Sequence, residues 1–334
     1  MWFEKLTGFI EESPEQVRDN LYIEGNQLIS SVNGNKFLYG SLETPNLSEL
    51  RERVRTLKLP QGRITLQESV ANIQDLHTAT ENKGAFFQVA SQFNLLEMVS
   101  PQVTPDNGIS AYEYDLTQGP ACAIAAGAGT IYRNYFVNLN GKIGQSANNQ
   151  IDTLSNIGKI LGNESGHLWH MKNGYALASE KGLKTISKLL ASLNESEIDK
   201  IRENLKIGIQ WNTEVTLNNL KHLVSQSYCS ALPVAYSQHS HQLWEKFAVL
   251  ILEASYEATI CAAILNSSKT GNQNVYLTLL GGGAFGNEES WIISAIERAL
   301  IQYRNVDLKV HIVSYRASNK QVRKLVNRFN TELY

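Results

Sequence analysis

A glycine-rich turn late in the chain is the stretch whose residue types best suit ligand binding. The turn comprises Gly281, Gly282, Gly283, Ala284, Phe285, Gly286 and Asn287. Val275–Leu280 before it has the length of a buried strand, and Glu288–Leu300 after it has helical periodicity. Glycines let backbone N–H groups approach a ligand, and a helix start adds unpaired N–H groups and partial positive charge. The pattern predicts a phosphate or diphosphate site, with a plain tight turn as the alternative.

A second candidate anion site precedes a run of small side chains. Pro120 suits the first position of a helix, and the small residues 121–129 allow that helix to lie close to a sheet or a ligand. The helix start again offers unpaired N–H groups. The residues predicted to contact a ligand there are Gln118, Gly119, Ala121 and Cys122.

The same glycine turn also reads as a dinucleotide-binding fingerprint, Gly281-x-Gly283-x-x-Gly286. Its late position leaves room for only one more strand, and the acidic residue expected about 20 positions later is missing. Arg316 stands after that last strand instead, and an arginine there would suit a 2′-phosphate. An NADP-binding oxidoreductase is therefore an alternative.

Two other groups of reactive side chains are better explained by packing. Cys229 and Ser230 lie in a predicted strand near several histidines, but no nucleophile elbow surrounds them, and a buried strand cysteine is far more common. Glu253 and Glu257 stand one helical turn apart, which predicts the solvated stripe of a helix rather than a pair of catalytic carboxylates.

Composition limits the class of protein. The chain has 334 residues, of which 43% are hydrophobic and 19% charged, so it can bury a large core. A net charge of -2 gives no reason to expect general nucleic-acid binding. Its three cysteines form no CxxC pair and adjoin no histidine cluster, which argues against a metal site and for a reducing compartment.

The pattern of charges near the apolar stretches predicts a soluble, cytoplasmic protein that does not bind membranes. The first residues carry acid and no long apolar core, so they do not form a signal peptide. The most apolar region, Phe247–Leu265, contains Glu253 and Glu257, which favours a buried helix over a membrane span.

The elements that must position the two turns divide the chain into regions. Residues 1–83 are predicted to form an N-terminal α+β extension, and residues 84–334 the main domain. Residues 138–206 are polar and glycine-punctuated, and they predict a mostly helical insertion in that domain. From Val224 onward strands and helices alternate, which predicts a parallel sheet covered by helices.

These features resemble the macrodomain superfamily of ADP-ribose-binding and ADP-ribosyl-hydrolysing proteins, in an atypical branch. The helix 252–265, the strand Val275–Leu280 and the loop Gly283-Ala284-Phe285-Gly286 match the order of the family's final elements. An earlier family loop is matched by Ala90–Asn94 and by Gly119–Ala125, separated by the interrupting stretch 95–118. The stretches GPACAIAAGAG and CSALPVAY also resemble that branch. The resemblance implies a three-layer α/β/α fold on a mixed sheet.

The resemblance also implies a ligand and a place for it. The two glycine turns would hold the diphosphate of an ADP-ribose-type nucleotide from opposite sides of one cleft. Phe285 would pack near the distal ribose, and Asn94 would hydrogen-bond that ribose. The ligand would be ADP-ribose itself or an ADP-ribosylated macromolecule, and no cofactor would be required.

Departures from the family pattern leave catalysis open. Ala121 and Ala125 stand where many hydrolytic macrodomains have aspartate and histidine, and the Gln-Glu-Glu of poly(ADP-ribose) glycohydrolases is absent. The nearest carboxylates in the sequence are those of Asp115, Glu113 and Glu97. Asp115 and Glu97 are the candidate acid and base for an ADP-ribosyl glycohydrolase, with capping of the next helix as the alternative role of Asp115. A non-catalytic binder or sensor of the same nucleotide is the alternative function.

Overall fold

The computed structural model describes residues 1–58 and 62–332. The helices are α1 (Trp2–Thr7), α2 (Pro14–Asn20), α3 (Leu47–Arg55), α4 (Ile73–Thr78), α5 (Gln118–Ala125), α6 (Gly127–Tyr135), α7 (Ser155–Leu161), α8 (Glu180–Ser192), α9 (Glu195–Arg202), α10 (His241–Thr270), α11 (Glu289–Gln302) and α12 (Lys320–Glu332). The strands are β1 (Leu21–Glu24), β2 (Gln27–Ser30), β3 (Lys36–Leu38), β4 (Ser41–Glu43), β5 (Thr65–Val70), β6 (Phe86–Ala90), β7 (Asn138–Leu139), β8 (Lys142–Ile143), β9 (Trp169–Lys172), β10 (Tyr175–Ala178), β11 (Gly208–Glu214), β12 (Leu223–Cys229), β13 (Asn274–Leu277) and β14 (Lys309–Ser314).

A seven-stranded mixed sheet in the order β4-β11-β12-β6-β13-β14-β5 is the centre of the fold. Strands β12, β6, β13, β14 and β5 run parallel to one another, and β11 pairs antiparallel with both β12 and β4. The strands that follow one another from β12 onward are joined through α10 and α11, as the alternating pattern predicts. Parallel pairing places the carboxyl ends of five strands at one edge of the sheet.

Helices cover both faces of the sheet. On one face Phe86 packs in a core with residues of α10, α11 and α12, such as Tyr256 and Ile292. On the other face Phe87 and Val89 pack in a core that includes α4 and α5. Alternate residues of β6 thus point into opposite layers, as the pleat of a strand requires. The predicted three-layer α/β/α class with a mixed sheet is confirmed.

The helix α10 carries the largest share of the apolar core. It is long and apolar enough to cross a membrane, but 89% of its most apolar window is buried inside the protein. Among the described residues it is the one helix that meets this criterion. The buried window is that of a core helix covered by sheet and neighbouring helices.

The two regions predicted outside the core sheet contribute strands as well as helices. Strands β4 and β5 lie at the two edges of the large sheet, so the sheet extends across the boundary predicted at residue 84. The insertion 138–206 contains α7, α8 and α9, and also the hairpins β7–β8 and β9–β10. The division of the chain into an extension and a domain stays a prediction.

Glu257 is not on a solvated stripe, and the prediction made for it is wrong. Its side chain is 2% exposed and accepts hydrogen bonds from Arg51 on α3 and Arg298 on α11. Arg51 also pairs with Asp199 on α9 at 2.8 Å. The reason is that α10 lies inside the protein, so a carboxylate facing α3 and α11 is stable only when arginines pair with it.

This ion network predicts a large difference between two arginines of one helix. Replacing Arg51 with Met leaves Glu257 buried with one arginine fewer, so we expect the free energy of unfolding to fall by about 3 kcal/mol. Arg55→Met removes an exposed pair with Glu52, with side chains 73% and 61% exposed, and we expect a loss below about 1 kcal/mol. Urea denaturation measures both, and equal losses would contradict a structural role for the network.

Candidate functional site

The glycine turn begins where β13 ends and is held at its start by a tyrosine of α10. The hydroxyl of Tyr256, which is fully buried, donates to the Thr278 carbonyl at 2.7 Å and accepts from the Leu280 N–H at 2.8 Å. Gly281 and Gly286 have φ values of 75° and 68°, in the left-handed region that favours glycine. The N–H of Asn287 donates to the Gly281 carbonyl at 2.9 Å and closes the turn.

Several backbone donors of this turn are free. The N–H groups of Gly281, Gly283, Ala284 and Phe285 donate no hydrogen bond within the described part of the chain. A methyl group on Gly283 would meet no atom within 4 Å, so the space beside this backbone is open. Consecutive free N–H groups beside open space can bind an anion.

The second turn supplies the opposite wall. Thr117 is the N-cap of α5 but its side chain caps no N–H, and among the described residues the N–H groups of Gln118 and Gly119 have no acceptor. Asp115 accepts from the Thr117 N–H at 2.9 Å, so it shapes the loop rather than capping the helix. The side chain of Gln118 bonds to the backbone of β6, accepting from Ala90 at 3.0 Å.

The two turns face each other across one cleft with a wide and a narrow chamber. The wide chamber has a volume of about 800 Å³ and the narrow one about 220 Å³. Asp115, Thr117, Gln118 and Gly283 line both chambers, so the two turns meet at their junction. This facing arrangement is the one predicted from the sequence. Cavities of this total size hold nucleotide-sized ligands.

Glu97 enters the narrow chamber from the turn that follows β6. Its side chain is 5% exposed, and its Oε1 atom has no hydrogen-bond partner among the described residues. Burial raises the pKa of this carboxyl well above its usual value, and the nearby charge of Asp115 raises it further against the opposing effect of Arg133. The raised pKa extends the pH range over which Glu97 keeps its proton, and its carboxyl lines the chamber in which a ligand would lie.

A glycine makes room for this carboxyl. A methyl group on Gly119 would collide with the carbonyl oxygen of Ala90 and with Oε2 of Glu97. Gly119 therefore lets the start of α5 lie directly against both β6 and the acid. The candidate anion site at the start of α5 and the candidate proton donor are therefore in direct contact through Gly119.

The structure brings most of the predicted site residues into this cleft. Those that line it are Glu97, Asp115, Gln118, Gly119, Ala121, Gly281, Gly282, Gly283, Ala284, Phe285 and Asn287. Three predicted residues do not line it. Cys122 is fully buried beneath the start of α5, and Gly286 packs toward Ala235.

Asn94 is the third residue outside the cleft, and its predicted contact with a ribose has no support in this position. It is fully buried, its Nδ2 donates to Gln150 Oε1 at 2.9 Å, and its Oδ1 accepts from the Leu96 N–H at 3.2 Å. Both ends of its amide are thus used within the protein. The amide stabilises the turn that carries Glu97.

Sequence reasoning missed several residues that complete the walls. Tyr175 and Tyr236 are two of them, and they form an aromatic group with the predicted Phe285 at the narrow chamber, with ring centroids 5.1 to 5.6 Å apart. Asn72 follows β5 and Tyr315 follows β14, and both line the wide chamber. The shared carboxyl edge of parallel strands was a signal for Asn72 and Tyr315. No local signal marked Tyr175, because it reaches the cleft from the insertion.

The other reactive side chains lie elsewhere. Burial raises the pKa of Cys229 to about 11, and the hydrogen-bond partner of its thiol is Thr259 rather than a base. Arg316 does not line either chamber, and its guanidinium lies 5.0 Å from the Tyr315 ring centre. Among the described residues, no group of three or more His, Cys, Asp or Glu could hold a metal ion.

Comparison with known proteins finds structural likeness only. No family model and no curated protein matches the chain. It is similar to poly(ADP-ribose) glycohydrolase from Deinococcus radiodurans in complex with ADP-ribose, with a TM-score of 0.46, 9% identity, and coverage of 87% of this chain and 94% of the other. It is similar to poly(ADP-ribose) glycohydrolase from Thermomonospora curvata, with a TM-score of 0.45, 10% identity, and coverage of 94% and 96%.

The buried acid predicts a specific pH dependence of stability. The unfolded chain releases the Glu97 proton near 4.5, whereas the folded protein keeps it to higher pH. The contribution of Glu97 is therefore fully present below pH 4.5 and is lost as pH rises toward the folded pKa, by about 1.4 kcal/mol per pH unit. In Glu97→Gln this loss should disappear, and in the exposed control Glu164→Gln it should persist. Urea denaturation across this range measures it, and an identical pH slope in wild type and Glu97→Gln would contradict the buried acid.

The close contact at Gly119 predicts that adding a methyl group there lowers stability. Gly119→Ala forces a methyl group against Ala90 and Glu97, so we expect a loss of about 2 kcal/mol or more in the free energy of unfolding. Gly283→Ala adds the same methyl group in open space and should change stability by less than about 0.5 kcal/mol. Thermal or urea unfolding measures the stability of the two variants. Equal stability would show that the start of α5 does not pack closely against β6.

Proposed function

We propose that the cleft binds the diphosphate of an ADP-ribose-type nucleotide between the two turns. The observation that carries this proposal is the pair of opposing backbone walls. Gly283, Ala284 and Phe285 present free N–H groups on one side, and Gln118 and Gly119 present them on the other. Oriented N–H groups and a helix start match the charge of a diphosphate without a lysine or arginine.

The chambers on either side of the junction suit the two ends of such a nucleotide. The narrow chamber, with its aromatic group and the Glu97 carboxyl, would take the terminal ribose. The wide chamber, which extends to Asn72 and Tyr315, would take the nucleoside. The family resemblance of the loop Gly283–Gly286 points to the same class of ligand.

A hydrolytic step is consistent with the acid in the narrow chamber. Protonated Glu97 would donate its proton to the oxygen that leaves the anomeric carbon, as the glycosidic bond breaks. Water would add to that carbon and give its proton to Asp115, which lines the same chamber. The products are free ADP-ribose and the hydroxyl or carboxyl group of the target.

The N-terminal helix favours a second candidate, a non-catalytic sensor. Trp2 lines the wide chamber, and its backbone N–H donates to Glu113 at 2.7 Å. A ligand in the wide chamber would therefore touch the first turn of the chain and could change its contacts. The NADP-binding alternative lacks comparable support, because Arg316 lies outside both chambers.

Binding is tested with a charge placed beside the free N–H groups. In thermal-shift titrations, ADP-ribose at 100 times its Kd should stabilise the protein by about 2.7 kcal/mol. Gly283→Asp should weaken binding by about a hundredfold through repulsion of the diphosphate, whereas the same-shaped Gly283→Asn should change it by less than about fivefold. NAD, NADP and ADP are titrated in parallel. No shift with any of these nucleotides would refute the proposal.

Catalysis is tested by release of ADP-ribose from ADP-ribosylated protein and DNA. Glu97→Gln should lower kcat by about a hundredfold or more while ADP-ribose still binds, since the amide cannot donate a comparable proton. Asp115→Asn is measured beside it. Binding without release from either substrate would favour the sensor. Release that is unchanged in both variants would exclude these carboxyls as the acid and base.

A further inference from the structure

The turn that carries Glu97 has a strained backbone. Leu95 has a φ of 64°, in the left-handed region that a leucine rarely adopts. Leu95 is fully buried, and a methyl group on Gly208 would collide with its side chain. Such a conformation persists only where surrounding contacts fix it.

The contacts that fix this turn come largely from the insertion 138–206. Two bonds reach Asn94: Gln145 Nε2 donates to its carbonyl at 3.1 Å, and Gln150 Oε1 accepts from its Nδ2 at 2.9 Å. Two reach Phe93: Thr153 Oγ1 donates to its carbonyl at 3.0 Å, and the Gly174 carbonyl accepts from its N–H at 3.0 Å. The Tyr175 hydroxyl donates to the Met98 carbonyl at 2.6 Å. These bonds reach residues on both sides of Leu95. They pair the buried polar groups of the turn without using the Glu97 carboxyl.

The tip of one hairpin presses directly on the turn. Gly174 has a φ of 80°, and a methyl group there would lie 2.6 Å from both Asn94 Oδ1 and Gln92 Cβ. The preceding Asn173 binds Pro101 and Gln150, which fixes the hairpin tip in turn. The close packing requires glycine at 174.

We propose that segment 145–175 of the insertion is a positioning element, which fixes the turn 92–98 so that the Glu97 carboxyl enters the narrow chamber against Gly119. The insertion is thus part of the site. Its residues Gln145, Gln150 and Thr153 touch no ligand space, and they act through the backbone of the turn. Only the catalytic readout below rests on the proposed hydrolysis.

A variant of Tyr175 can separate its positioning role from its role in lining the chamber. Its hydroxyl holds the Met98 carbonyl, while its ring lines the narrow chamber beside Tyr236 and Phe285. Tyr175→Phe removes the hydrogen bond and keeps the ring. Tyr39→Phe is a matched control, because the Tyr39 hydroxyl also donates to a carbonyl, that of Gly25, and neither residue lines the cleft.

The charge state of Glu97 reports its position. The groups that act electrostatically with this carboxyl are Arg133, Asp115, Tyr112, Cys122, Tyr175 and Tyr228. Arg133 is 1% exposed and donates to the Leu95 carbonyl at 3.3 Å, so it is fixed to the same turn. If the turn loosens, water reaches Glu97 and its pKa moves toward the ordinary value.

The test is a titration of the Glu97 side-chain carboxyl by carbon-13 NMR, with the resonance assigned from its absence in Glu97→Gln. We expect Tyr175→Phe to lower the midpoint by about one pH unit, and Tyr39→Phe to leave it unchanged. Thr153→Val removes the hydroxyl bond to the Phe93 carbonyl and keeps the bond from the Thr153 N–H, so it should lower the midpoint in the same direction as Tyr175→Phe but by less. If Tyr175→Phe does not fold, the midpoint measured in Thr153→Val tests the positioning role.

The kinetic readout separates this inference from the proposed function. If ADP-ribose is released, Tyr175→Phe should lower kcat with KM nearly unchanged, because the ring still lines the chamber. If no substrate is turned over, the hydrolysis fails while the NMR midpoint still decides the positioning role. A midpoint equal to wild type in both Tyr175→Phe and Thr153→Val would overturn the inference.

Discussion

The parallel pairing of β6 with β12 on one side and β13 on the other is the constraint on which the rest of the structure depends. It brings the turn with Glu97 and the glycine turn to one edge of the sheet. The same rule adds the ends of β5 and β14, where Asn72 and Tyr315 complete the wide chamber. A cleft at this edge follows from chain direction, since no other edge collects the carboxyl ends of these strands.

The core behind this edge fixes the geometry of the cleft. The buried helix α10 holds the glycine turn through the Tyr256 hydroxyl, and it is held through Glu257 by arginines of α3 and α11. A polar hydroxyl and a carboxylate inside an apolar helix are costly unless paired. Both are paired here, so the turn is attached to a rigid layer of the fold while its outer N–H groups stay free.

The cleft brings together two kinds of polar group that have no hydrogen-bond partner among the described residues. Free backbone N–H groups on both turns would bind negative charge, and the buried Glu97 carboxyl has one oxygen without a hydrogen-bond partner in the described part of the chain. The buried Arg133 offsets part of the burial effect on that carboxyl without pairing directly with it, since its guanidinium bonds to Leu95, Thr130 and Gln210. Ordinary packing would satisfy these groups, and their presence around one cavity indicates a binding site.

The sequence by itself determined the elements of local origin. The strand, glycine turn and helix around residues 275–300 follow from short-range periodicity and glycine content, and the small-residue helix follows from Pro120 and its neighbours. The α/β class followed from the alternation of strands and helices after Val224. Short-range patterns did not reveal the partners of the Asn94 amide and the Glu257 carboxylate, because these partners, Gln150 and Arg51, lie 56 and 206 residues away.

Only the tertiary structure decided which distant groups meet. It placed Tyr175 of the insertion beside the cleft, β4 and β5 at the edges of the sheet, and Glu97 against Gly119. Such contacts depend on the order of strands in the sheet and on the packing of a long insertion. Neither leaves a periodic trace in the sequence, because burial and hydrogen bonding between distant segments are properties of the whole fold.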